Sequence, residues 1–257
     1  MGRSMSVAVA GVLEAQRSWR LNAWRAFLAL GFVAAAVLVA FPDLDLFVAE
    51  ATFSPATGFI GGRRGWLGVV RSAFIVFYFA TLGVSIVNWL ASRKGSLRRF
   101  GAKEWLFMLV CLSVGPGLLA NVGFKDQWGR ARPKHIEAFG GTRVFTPALL
   151  PTNQCKRNCS FVSGEASSVF APFYAAAAIA PQWAATLIVA GTVAGLGAGA
   201  VRIAQGAHFL SDVVFAGLFM GLMVLALHRL MFAPRGAWPL GLRSPTRERR
   251  LADTSKA

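Results

Sequence analysis

The sequence predicts an all-α, polytopic membrane protein with six transmembrane helices, on three observations. Hydrophobic residues make up 55% of the 257-residue chain and charged ones only 15%, the mean hydropathy is +0.53, and the apolar residues gather into runs long enough to cross a bilayer. A soluble domain of this size could hardly carry such a composition on its surface. Basic residues outnumber acidic ones 27 to 11, a net charge of +16. In so apolar a chain that excess points to basic cytoplasmic loops and a phosphate-like ligand rather than to nucleic acid. The chain has 3 cysteines, which excludes a disulfide-built fold. With no long Ser, Pro or Gly linker and no repeat of fixed period, one domain is expected.

Residues 1–25 place Arg3, Arg17, Arg20 and Arg25 among Val, Leu and Trp, which reads as an amphipathic segment lying on the membrane. The helical domain follows over residues 26–232 and a basic tail over 233–257. The apolar runs lie at about 24–41, 66–91, 105–124, 166–180, 182–201 and 213–232. The uncharged stretch from Ala166 to Val201 is too long for one span, and Pro181 marks a turn within it. Trp24, Trp66, Trp89, Trp105 and Trp183 fall near the ends of these runs, where an amphipathic ring favours the headgroup layer. With the N-terminus inside, Arg93, Lys94, Arg98, Arg99 and Lys103 and the arginines of the tail fall on the cytoplasmic side. The opposite side keeps Arg63, Arg64 and a basic cluster from Lys125 to Arg157.

Three clusters carry chemistry. Lys125 and Arg132, followed by Pro133, are seven residues apart at the end of the third span. Continued helix would put both cations on one face, a pair able to hold a phosphate from two directions. Ser163, Gly164 and Glu165 open the fourth span; a helix start there offers backbone N–H groups to an anion, although an N-cap with an acidic first turn explains the same residues. Arg202, His208 and Asp212 join the fifth and sixth spans. His208 and Asp212 are four apart, hence expected on one helical face, with Asp212 bonded to one ring nitrogen and the other left as a nucleophile. Counting spans from the inside puts all three clusters on the outer face, expected to be periplasmic. Cys155 and Cys159 lie close together in the outer loop, where a bridge can form in an oxidising compartment.

These residues resemble the type 2 phosphatidic acid phosphatase superfamily (PAP2), which includes membrane lipid phosphatases and soluble vanadium haloperoxidases. Its signature is Lys, six residues and Arg-Pro; then Pro-Ser-Gly-His; then Ser-Arg, five residues, His, three residues and Asp. Lys125, Arg132 and Pro133 match the first part, and Arg202, His208 and Asp212 the third, with Val201 in place of Ser. In the second part Ser163 and Gly164 match, with Val162 where Pro is usual and Glu165 where His is usual. The likeness covers roughly Trp66 to Leu230, and the altered second part is similar to bacterial lipid A phosphatases.

The resemblance implies a metal-independent lipid phosphatase of the bacterial inner membrane, with no cofactor. His208 would attack phosphorus, Asp212 would orient it, and Lys125, Arg132, Arg202, Ser163 and Gly164 would hold the phosphate. Glu165 would act either as the general acid, where the family uses histidine, or as an ionised group holding the neighbouring cations. Lys134, Arg143, Lys156 and Arg157 exceed what one phosphomonoester needs, and suggest a large or multiply phosphorylated headgroup such as that of lipid A, dephosphorylated at the 1 or 4′ position. A polyprenyl diphosphate or a phosphatidylglycerophosphate is the alternative substrate, and a phospholipid-binding membrane protein without turnover the alternative class.

Overall fold

The computed structural model describes residues 2–95 and 100–232, the side chains of 2–20 and 63 excepted. The expected tail and Arg98 and Arg99 lie outside the described residues. Helix α1 runs from Gly2 to Ala40 and passes residue 25 without a break, its apolar portion being Leu21–Ala40. A short helix α2 (Asp43–Glu50), a two-stranded hairpin of β1 (Phe53–Ser54) and β2 (Gly58–Phe59), and a single turn α3 (Ile60–Arg63) follow. Helix α4 (Gly65–Arg93) is the longest apolar helix and exposes most of its surface. That is the behaviour of a lipid-facing helix, for which bilayer replaces protein as the apolar environment.

The third expected span is made of two parts. Helix α5 (Ala102–Leu112) continues as a wider π-type helix from Ser113 to Lys125 that contains Pro116. Proline has no N–H to give and its ring crowds the preceding turn, so the regular ladder cannot run through it. The Asn121 side chain donates to the Pro116 carbonyl at 2.8 Å, satisfying a group that the irregular ladder would leave open.

Helix α6 (Gly164–Ile179) turns at Pro181–Trp183 into α7 (Ala184–Ala204), and α8 (Leu210–Phe232) ends the described chain. Among the described residues five helices are long and apolar enough to span a bilayer. The fourth expected span, α6, has 16 residues, a rise of about 24 Å. It is buried almost all round, packed against α4, α5, α7, α8 and the π-type segment. Close approach is possible because Gly191, Gly195 and Gly199 form a small-residue stripe on α7 facing Phe173, Phe170 and Val213. Trp24, expected at the headgroup layer, is instead buried, edge-on to Tyr174 at 6.0 Å between ring centroids. Trp66 and Trp183 are exposed at helix ends.

The segments between helices at one end of the bundle, residues 41–64 and 126–163, pack over the openings of α6 and α8. A second small core of Ala49, Phe59, Ala131, Ile136, Phe139 and Phe209 ties them together. This cap holds the polar residues of the site in fixed positions above the bundle.

Candidate active site

The third motif provides the centre. His208 precedes α8 rather than lying within it, so the expectation of two groups on one helical face is corrected. The Asp212 side chain instead turns back over the helix start, its Oδ2 accepting the Phe209 N–H at 2.8 Å, as a first-turn carboxylate does at unpaired amides. His208 Nδ1 donates to the Ser160 carbonyl at 2.7 Å, and Asp212 Oδ2 stands 3.6 Å from that nitrogen. Asp212 therefore acts on the ring as a nearby charge, while a backbone carbonyl takes the hydrogen bond that selects the tautomer. With the proton on Nδ1, the lone pair of Nε2 is free, and Nε2 is buried with no hydrogen-bond partner.

Asp212 is itself fixed from three sides. Arg130 Nη1 donates to its Oδ1 at 2.6 Å and the Ser160 hydroxyl donates to its Oδ2. Arg130 is fully buried, stacked over the Phe209 ring, and its Nη2 reaches Asp45 Oδ2 at 2.7 Å. Asp45, from α2, also accepts the Ser211 N–H at 2.8 Å and the Ser211 hydroxyl. Burial pushes the Asp45 carboxyl up from its ordinary value, and the Arg130 charge opposes that shift. The sequence pattern did not single out Arg130, Asp45 or Ser160. Arg130 lies inside the first motif and could have been noticed there; Asp45 carries no local signal, because its partner is distant in sequence.

The cations gather on the open side of His208. Lys125 ends the π-type helix and is nearly buried, and Arg202, also nearly buried, lies in the last turn of α7. Gly164 leaves room for Lys125, since a Cβ there would lie 2.6 Å from Nζ. Ser163 caps α6, its hydroxyl accepting the Ala166 N–H at 3.4 Å, and its own N–H donates to the Asp212 carbonyl at 3.1 Å. The cap expected from sequence is present and opens α6 beside the histidine.

Arg132 reaches this region by another route than the helical one expected. The helix stops at Lys125 and Arg132 is in extended conformation. Between them Gly129 adopts a positive φ of 71° with Thr152 O where a Cβ would stand. Arg132 Nη2 donates to the carbonyl and side-chain oxygens of Asn158, both at 2.8 Å. Burial lowers its pKa while the Glu165 and Asp212 charges raise it. Lys134 is lowered by burial and then by Arg132 and Arg202, so it stands at the rim of the same cationic field. The pKa of His135 is lowered by burial and by Lys134, Arg132 and Arg143. Arg143, Lys156 and Arg157 are exposed on the long segment between Lys125 and α6, Arg157 Nε lying 3.8 Å from Asp126. Cys155 and Cys159 are joined by a disulfide.

Glu165 lies in the middle of this field. Its Oε1 accepts from Arg71 Nε at 3.2 Å and Nη2 at 3.1 Å, and lies 3.3 Å from Arg202 Nε. Its Oε2 lies 3.8 Å from Lys125 Nζ and 3.7 Å from His208 Nε2. Arg71 was missed from the sequence, although it is the sole charged residue in the run 66–91 and an intramembrane charge marks a functional site by default. Glu165 Oε2, Arg202 Nε and His208 Nε2 are all buried without a hydrogen-bond partner. Of these, Arg202 Nε is a donor without an acceptor and His208 Nε2 a lone pair without a donor, and with Lys125 beside them they form a place for a polar ligand that brings acceptor oxygens to the cations.

Comparison with known proteins agrees with this geometry. Residues 105–236 match the PAP2 superfamily. The chain is 37% identical to a lipid A 4′-phosphatase of Francisella tularensis subsp. novicida, over 80% of this chain and 94% of that protein. It is 32% identical to a lipid A 4′-phosphatase of Rhizobium leguminosarum, over 74% and 88% of the two chains. With a lipid A 1-phosphatase of Rhizobium johnstonii the identity is 31%, over 73% and 72%. No solved structure matches. A buried histidine with a free nitrogen facing clustered cations, on a helical membrane scaffold, is thus joined to a family match over half the chain, and the chain belongs to the PAP2 superfamily as a multi-pass membrane phosphatase.

Proposed function

We propose that the protein removes a phosphate from lipid A, the 4′-phosphate first, at the periplasmic face of the bacterial inner membrane and without a metal. The observation that carries the reading is His208 Nε2, buried, without a hydrogen-bond partner and facing the Glu165 carboxylate at the start of α6, around which Lys125 and Arg202 gather. The relatives named 4′-phosphatases support the position of the phosphate, and the Cys155–Cys159 bridge supports an oxidising compartment on that side.

In this mechanism the phosphate oxygens are held by Lys125, Arg132 and Arg202 and by the backbone amides at Ser163 and Gly164. His208 Nε2 attacks phosphorus and the P–O bond to the sugar breaks. The imidazolium so formed is stabilised by Asp212 and the Ser160 carbonyl at the Nδ1 side. The departing oxygen takes a proton from a water molecule, whose hydroxide then attacks phosphorus and breaks the P–N bond. Inorganic phosphate leaves and His208 is regenerated. Lys134, Arg143, Lys156 and Arg157 would meet the remaining anionic groups of a large headgroup at the rim.

The test is phosphate release by purified protein in detergent, with no added metal, from lipid A, phosphatidic acid, phosphatidylglycerophosphate and polyprenyl diphosphate. Lipid A is expected to be turned over best, with loss of the 4′-phosphate. His208→Ala should lower kcat about 10³-fold or more without loss of cooperative melting. A fully active His208→Ala protein, or wild-type activity abolished by EDTA and restored by Mg²⁺, would overturn the mechanism.

A further inference from the structure

We infer that the Glu165 carboxylate is a resident anion that occupies the phosphate pocket of the resting enzyme, and that Arg71 is the positioning residue that keeps hold of it when phosphate enters. The inference rests on the reading that phosphate binds between His208, Lys125 and Arg202.

The geometry supports it on both sides of the carboxylate. Oε2 stands 3.7 Å from His208 Nε2, whereas a reacting phosphorus must come to about 3–3.5 Å of that nitrogen. The carboxylate and the phosphoryl group therefore claim the same volume. They also claim the same cations, since Oε1 and Oε2 are the groups now facing Arg202 and Lys125. Two anions cannot share that site at close range without a large repulsion. The present occupant is an imperfect one: Oε2 has no hydrogen-bond donor, and Arg202 Nε and His208 Nε2 remain unsatisfied beside it. A phosphate, with more acceptor oxygens in a tetrahedral arrangement, accepts from Arg202 Nε and turns its phosphorus to the lone pair of His208 Nε2, while Glu165 Oε2 is released toward the rim.

Arg71 differs from the other cations. It comes from α4 and its side chain is 43% exposed, against 10% for Lys125 and 9% for Arg202. It also makes both actual hydrogen bonds to the carboxylate, through Nε and Nη2. Glu165 can thus leave Lys125, Arg202 and His208 while remaining on Arg71 at the rim. The exchange compensates the charge of the buried cations in the empty enzyme, where an unpaired buried charge is costly. It also gives departing inorganic phosphate a built-in competitor.

The experiment is titration calorimetry of inorganic phosphate into the full-length protein in detergent at neutral pH, a readout independent of turnover. Glu165→Gln should bind phosphate about tenfold or more tightly than wild type, because the competing charge is gone. Arg71→Gln should bind it several-fold more weakly, since the displaced carboxylate has lost its alternative partner. The double variant should match Glu165→Gln within about twofold, because Arg71 then has nothing to hold. Unchanged or weaker binding in Glu165→Gln overturns the inference. So does a loss from Arg71→Gln that is as large in the Glu165→Gln background as alone, which would mean that Arg71 touches phosphate directly. If Glu165→Gln does not melt cooperatively, Glu165→Asp carries the same test: its shorter carboxylate withdraws from His208, and phosphate should bind more tightly than to wild type. Equal or weaker binding there again overturns the inference. A His208→Ala protein without activity, together with phosphate binding indifferent to Glu165, removes this inference and leaves the phosphatase reading standing.

Discussion

Asp212 owes its position to fully buried residues behind the histidine. Arg130 lies between it and Asp45, at 2.6 Å and 2.7 Å, and all three side chains are buried. Removing one charge from such a set leaves the others uncompensated, at a cost of about 3–5 kcal/mol. Asp45→Asn should therefore lower the melting temperature and free Arg130 to move, and with it Asp212 and the ring of His208. Because this chain of contacts ends at the histidine and not at the cations proposed to hold phosphate, kcat should fall about tenfold or more while KM changes little. Steady-state kinetics on lipid A check the split; a rise in KM at constant kcat would show that Asp45 supports binding instead. At this scale the sequence made the chemistry legible but not its support. Lys125, Ser163, Gly164, Arg202 and His208 were visible because they occur in spaced motifs. Asp45, Arg71 and Ser160 were not, because their roles come from contacts such as Arg71 to Glu165, 94 residues apart.

Among the elements, α6 is the one whose environment could not be read from its length. Its 16 residues would make a short span, yet it lies at the centre of the bundle, where neighbouring helices cover it on most sides. The contact with α7 depends on glycine: a Cβ on Gly195 would stand 2.2 Å from the Phe170 ring. Phe170 is itself 1% exposed, packed between α7 and Gly217 of α8. Gly195→Val should therefore separate the two helices and cost about 1–3 kcal/mol or more, the usual penalty of overpacking. Thermal unfolding in detergent measures it, and Gly197→Val, which meets nothing within 4 Å, is the control expected to be near neutral. Since α6 opens at Ser163 beside the histidine, the packing variant should also lose activity at temperatures where it remains folded.

For the molecule as a whole, the arrangement of helix ends has one consequence for function. The π-type helix ends, α6 begins, α7 ends and α8 begins at the same end of the bundle, and all the polar residues of the site meet there. Basic residues Arg93, Lys94 and Lys103 lie at the opposite end, and the proposed outward orientation of the site rests on that charge bias. Tags fused to either terminus should be protected from external protease in intact spheroplasts, and a tag inserted after Gly140, an exposed turn of the long loop, should be cleaved. External cleavage of a terminal tag would reverse the orientation.

What the sequence determined by itself was the solvent, the approximate spans and the motif residues that form the candidate site. Hydrophobicity summed over a window depends on composition alone, and a motif at fixed spacing is a local property. Tertiary structure decided how those groups are presented. Helical periodicity placed Lys125 with Arg132 and His208 with Asp212 on common faces, but both pairs straddle a helix end, where periodicity stops and capping and turn geometry take over. The Nδ1 proton goes to the Ser160 carbonyl because a loop 48 residues away passes under the ring. Glu165 reads equally well in the sequence as an acid or as a partner of cations, and it is the fold that sets Arg71 of α4, Lys125 and Arg202 around it. A side chain's charge is written in the sequence, whereas the charges that surround it are set by which distant segments the fold brings within a few ångströms.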